Sequence, residues 1–167
     1  LGGNTSLEQC LLEAKMAGFS GIESGGKFPT SSLELLSKLN KVKLQLCSGW
    51  YGAKLLKNSV KEEFNLMKPQ LELFKDCKAP CMVFAEITNS IQGDPVKPLS
   101  KRPIMKKEDW NLLIVRINEL SKMMINEGMP MAYHHHMGTV IETQNDTIRL
   151  MENTNDSVKL LIDTGHM

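Results

Sequence analysis

The chain has 167 residues, 41% hydrophobic and 23% charged, with a formal net charge of +1. That length buries about one core, and the near-neutral balance offers no basic surface for nucleic acid or an anionic membrane. No apolar run approaches the roughly 20 residues that span a bilayer. The N-terminus lacks a basic start and an apolar signal core. Cys10, Cys47, Cys77 and Cys81 show no paired zinc spacing and read as free thiols of a cytoplasmic protein.

In chain order, Thr5-Ser6-Leu7-Glu8 has the form of a capping box. It opens a helix with Leu7, Leu11 and Ala14 that Gly18 stops. Phe19 to Ser24 is a short strand running into the Gly25-Gly26 turn. Ser31 and Glu34 form a second capping box before a helix carrying Leu33, Leu36 and Leu39. Val42 to Cys47 reads as a strand, and Ser48 to Gly52 as a glycine-bracketed aromatic loop. Val60, Phe64, Met67, Leu71 and Phe74 mark a long amphipathic helix that Pro69 should kink or split.

Cys81 to Ile87 is the next strand. The irregular stretch from Thr88 to Lys106 holds Pro95, Pro98 and Pro103, and its length suits a lid or binding loop. Trp110 to Ile125 carries a helical apolar stripe ending at Gly128. A histidine-bearing strand, a helix begun by Thr143 and Asp146, and a strand from Val158 to Ile162 complete the order.

Strands alternating with helices, none paired as a hairpin, predict parallel strands joined by right-handed crossovers. No Gly-x-Gly-x-x-Gly turn follows the first strand, as a dinucleotide-binding open sheet would favour. Polar residues gather instead at strand ends: Glu23, Ser48, Glu86, His134, His136, Asp163 and His166. That pattern favours a barrel with its chemistry at the carboxyl rim. A closed barrel takes about 250 residues. The expectation is therefore one incomplete domain over residues 1–167, truncated at both ends, starting at the first helix and ending after about the sixth strand.

The sharpest motif is Ala132-Tyr133-His134-His135-His136-Met137-Gly138-Thr139. Alternation along a strand puts His134 and His136 on one face and turns His135 away. Asp163 ends the following strand, about 4.8 Å away if the two are neighbours. Mixed imidazole and carboxylate donors suit a first-row metal such as manganese, cobalt or zinc. Histidines satisfied by core hydrogen bonds, or a solvated histidine run, are the metal-free alternatives. Glu23 and Glu86 could each hold a hydroxylated substrate, move protons or stand as rim carboxylates. Trp50 and Tyr51 could wall a sugar-like ligand or simply pack. Glu142 could approach the metal or substrate, or place negative charge at a helix start.

Several of these segments resemble the inosose dehydratase family of myo-inositol catabolism. They are Phe19 to Pro29, Cys47 to Tyr51, Phe84 to Glu86, Tyr133 to Thr139 and Leu161 to His166. That family sits in the xylose-isomerase-like barrel superfamily. The resemblance implies a partial (β/α)8 TIM barrel that eliminates water from 2-keto-myo-inositol, a small cyclic polyol ketone. It implies Mn2+ or Co2+ as cofactor, with glutathione as a further one, and is compatible with a homo-oligomer.

It also implies roles for particular residues. Asp163 matches the second of four metal ligands, and His134 stands where the first is commonly a glutamate. His166 would contact substrate. From the residues themselves, Glu23 and Trp50 are candidates for holding substrate, and the chemistry of such an elimination makes His136 and Glu86 candidates for the proton transfers, in either order. A sugar isomerase or epimerase of the same superfamily and an inactive metal-binding fragment are the competing readings. A repair endonuclease of the same fold would need a basic groove, against which the charge argues.

Overall fold

The computed structural model describes residues 3–166. Its elements are α1 (Leu7–Met16), β1 (Gly21–Ser24), α2 (Ser32–Lys41), β2 (Gln45–Ala53), α3 (Val60–Asp76), β3 (Met82–Glu86), α4 (Lys107–Asn126), β4 (Met131–His134), α5 (Gln144–Asn153) and β5 (Val158–Leu161). Short 3-10 turns lie at Leu99–Lys101 and Thr164–His166. The strands form one sheet in the order β1-β2-β3-β4-β5, every neighbouring pair parallel. Sequential parallel neighbours with a helix between each pair are an arc of a barrel.

Alternation gives the arc two faces. Leu46, Met82, Phe84, Met131, Tyr133 and Val158 point to the convex side and join the buried cluster beneath the helices. Opposite them are Met67, Leu71 and Phe74 of α3, Leu113, Ile117 and Met124 of α4, and Leu150 of α5, all at most 1% exposed. Glu23, Cys47, Val83, Ala85, Ala132 and His134 fall on the other, concave side, and the register shift opposite Ile22 and Glu23 brings Trp50, paired with Val83, to that side as well.

Three expectations change. Ser48 to Gly52 is not a loop: β2 continues to Ala53 and pairs Trp50, Tyr51, Gly52 and Ala53 with Val83 to Glu86. Its glycines serve packing. A Cβ on Gly49 would lie 2.1 Å from Ser24 Oγ and 2.3 Å from Phe74 Cζ. Next, Pro69 does not split α3, which runs unbroken from Val60 to Asp76. Pro69 is exposed, so the carbonyl it leaves without a donor can turn to water.

Finally, the caps differ from the expected boxes. Ser6, not Thr5, caps α1, by accepting from Gln9 N, and Ser31 makes no side-chain cap bond. A full box at Ser59 and Glu62 opens α3, and the expected Thr143–Asp146 box opens α5.

Candidate metal centre at the concave rim

β4 and β5 end side by side, His134 pairing with Leu161. Beyond the ladder the alternation persists. The His136 ring returns to the concave side, 5.4 Å from that of His134 and 4.0 Å from that of His166. His135 is 4% exposed and lines a cleft with Leu160 and Ile148 on the convex side.

Trp50 reaches across from β2 with its ring edge-on to both His134 (5.5 Å) and His136 (5.3 Å). It can do so because β3 presents only Val83 and Ala85 beneath it. A Cβ on Gly52 would also stand 3.2 Å from the indole Nε1 and 2.6 Å from Ile87 Cδ1.

Two hydrogen bonds hold the Asp163 amide and one of its carboxylate oxygens. Its N–H donates to His135 Nε2 (3.4 Å), and its Oδ1 accepts from Gly165 N (2.8 Å). Its Oδ2 is left 3.2 Å from His134 Nε2 and 3.5 Å from His166 Nε2. The ligand atoms of His134, Asp163 and His166 all lie within 4.8 Å of one another. His134 Nε2 is buried and has no hydrogen-bond partner despite the nearby carboxylate, because the contact is not aligned as a hydrogen bond. An orphaned imidazole nitrogen beside a free carboxylate oxygen is a donor set that fits a divalent cation.

Protonation follows from the partners. Met137 N donates to His166 Nδ1 (3.2 Å), so the neutral ring carries its proton on Nε2, facing Asp163. His136 Nδ1 lies 2.8 Å from the Met137 carbonyl, which only accepts, so its Nε2 is a free lone pair. Burial, and then the neighbouring histidines, hold His134 below the usual imidazole range. Burial also lowers His136, against the Met137 carbonyl and nearby carboxylates. The Gly165 N–H is the largest influence holding Asp163 low, with His166 and His134 adding to it.

The remaining predicted residues divide by face. Glu23, at the end of β1, feels the negative charge of Asp163 from across the concave side. Glu86 falls on the convex side, fully buried, and accepts from Leu56 N (3.3 Å) and Thr88 N (2.7 Å). The structure does not bring it to the histidines. Burial is the main cause of its raised pKa.

Glu142 stands directly before Thr143, the N-cap of α5. Its Oε2 accepts from Gly138 N (2.6 Å), and its Oε1 pairs with Arg102 Nε (3.4 Å). Arg102, which carried no signal in the sequence, also bonds Asp146 (2.9 Å) and the carbonyls of Thr139 and Val140. With Ile91 N donating to Gly138 O (2.9 Å), it staples the 88–106 loop onto the turn after the histidines. These contacts join residues far apart in the chain, so no local pattern could have disclosed them.

A parallel arc with helices on its convex side and titratable groups at its carboxyl rim defines part of a TIM-type barrel with its candidate site at the usual end. The sequence profile of the xylose isomerase-like TIM barrel family matches residues 11–167, and the chain belongs to that family.

Among similar proteins, the rhizopine catabolism protein MocC of Rhizobium meliloti is 40% identical over 99% of this chain and 51% of its own length. An inosose dehydratase of Geobacillus thermodenitrificans (strain NG80-2) is 39% identical over 100% of this chain and 57% of its own. The chain thus spans about half the length of the curated relatives it matches. A xylose isomerase-like TIM barrel protein of Mycobacterium smegmatis, solved in complex with magnesium, superposes with a TM-score of 0.68. It is 15% identical, over 95% of this chain and 56% of that one, a likeness of fold.

Proposed function

We propose that this chain carries part of the active site of a metal-dependent dehydratase, a lyase that removes water from 2-keto-myo-inositol. The observation that carries the reading is the orphaned His134 Nε2 beside Asp163 Oδ2. It occurs in a chain 39% identical along its whole length to an inosose dehydratase.

His134 and Asp163 would hold the cation, Mn2+ or Co2+. A bound divalent metal would supply Lewis-acid stabilisation of the negative charge that develops when a carbon beside a ketone loses its proton. His166 directs its Nε2 proton toward the same point, suited to a substrate oxygen. His136, neutral and with Nε2 free, takes the proton from carbon. Trp50 walls the polyol ring against both histidines. Glu86 is better placed to hold the Leu56 and Thr88 amides than to serve the reaction.

No helix among the described residues is long and apolar enough to cross a membrane. All four cysteines are free, which supports a cytoplasmic setting.

The test is turnover of inosose by the full-length protein with Mn2+ or Co2+, each with and without glutathione, the product identified by NMR. Loss of water supports the reading, and return of an epimer or isomer sinks it in favour of the sugar-isomerase alternative. Residues 1–167 alone are expected to bind Co2+ but turn over negligible inosose, because they span only part of the relatives' length.

A further inference from the structure

If Glu86 serves the convex side, the reaction needs another group to protonate the departing hydroxyl. His136 is already committed as the proton acceptor, since its Nδ1 faces a carbonyl and only Nε2 is open. The concave face offers one further carboxylate on a different wall. Glu23 ends β1, at the opposite end of the arc from β5. Its face is fixed by its neighbours. A Cβ on Gly21, two residues earlier, would meet the Cys47 side chain at 3.4 Å, and the Glu23 charge acts on Cys47.

Among the described residues no hydrogen-bond or ion-pair partner holds the Glu23 carboxylate. It is therefore free to meet a ligand, unlike Glu86 and Glu63, whose oxygens are taken by Leu56 and Thr88 and by Tyr51 and Asn58. Glu23 lies at the carboxyl end of β1 and Asp163 just past that of β5, so both stand on the same rim of the arc.

We propose that Glu23 is the general acid of the elimination, working across the concave face from His136. This rests on the dehydratase reading above. In the step, the bond from hydrogen to the carbon beside the ketone breaks and its proton passes to His136 Nε2. The electron pair first moves onto the ketone oxygen; in the following step it returns to form the carbon–carbon double bond as the neighbouring C–O bond breaks. The Glu23 carboxyl donates its proton to the leaving oxygen, which departs as water. Glu23 is left as carboxylate and His136 as imidazolium, and one proton returned through solvent resets both. The protein around the partly open Glu23 carboxyl, and secondarily the Asp163 charge, raise it above the usual carboxylate range. The Met137 carbonyl engages His136 Nδ1 and leaves Nε2 as the open lone pair. One wall thus offers an unpartnered carboxyl and the other an open imidazole lone pair.

The experiment compares wild type, Glu23→Gln and His136→Gln in the full-length protein with Mn2+. It follows water loss from inosose and, separately, exchange of the substrate's carbon-bound hydrogen in D2O. Glu23→Gln is expected to lose about 10²–10⁴-fold in water loss, to keep hydrogen exchange within about threefold and to bind Co2+ as wild type does. A substrate with fluoride in place of the departing hydroxyl needs little protonation and should recover most of the lost rate. His136→Gln should lose exchange and elimination together.

The assignment is overturned if Glu23→Gln eliminates water at the wild-type rate, or if it loses exchange as well. Loss of Co2+ binding or no recovery with fluoride would overturn it too. A wild-type protein that leaves inosose intact refutes the dehydratase reading itself, and this step with it.

Discussion

Met82, Phe84, Met131 and Tyr133 on the convex face of the sheet have no exposure at all, whereas the alternate residues Glu23 and Cys47 lie open on the concave face. The contrast is clearest in two carboxylates. Glu86 turns to the convex side, and its oxygens are met by the amides of Leu56 and Thr88. Asp163 has one oxygen tied to Gly165 N and the other left facing two imidazoles. A buried charge survives beneath helices only when its partners are protein groups. At the rim, the unmet oxygen and the orphaned His134 Nε2 are what a ligand can use. The difference separates residues that hold the arc together from residues left open to a ligand.

The largest expected effect tests the convex side. Phe84→Ala removes a ring that packs against Tyr51 and Tyr133, and should cost about 3–5 kcal/mol in urea unfolding. A cost well under 1 kcal/mol would break the division between the faces.

His134→Ala should do the reverse, staying within about 1 kcal/mol of wild-type stability. It should weaken Co2+ binding, followed by visible absorption, by more than the roughly 100-fold that losing an outer partner can cause. His135→Ala should weaken it only about 10-fold, because His135 acts through the Asp163 amide. Equal losses from the two would mean that the strand register is shifted by one.

Gly49→Ala is expected to cost about 1–3 kcal/mol, since its Cβ would collide with Ser24 and Phe74. Thermal unfolding would measure it, and a neutral result would show that β2 and α3 can separate there.

The smallest effect is one of pH. His134 and His136 titrate below their unfolded values. As pH falls below about 6.5, the unfolded chain takes up protons that the native rings refuse, so stability drops until the lower native values are reached. Comparing the pH dependence of Tm for wild type and His134→Gln cancels the other groups. The variant should show a shallower fall on the acid side.

The sequence by itself determined the order of helices and strands, their parallel pairing and the convergence of His134 with Asp163. Those follow from apolar periodicity and from the two-residue repeat of a strand, which are local. It also turned His135 away from its neighbours correctly, for the same reason.

What only the tertiary structure decided was which face each strand-end carboxylate joins and where each strand stops. Glu23 and Glu86 look alike as strand ends, yet pairing within the sheet sends one to the rim and the other under the helices. The glycines of β2 read as a loop because their purpose, clearing room for Phe74 and for the Trp50 ring, lies on other elements. The hold of Arg102 on Glu142 and Asp146 joins residues 40 and 44 positions apart. An ion pair at that separation leaves no periodic trace, because it is set by where the loop and the turn meet in space.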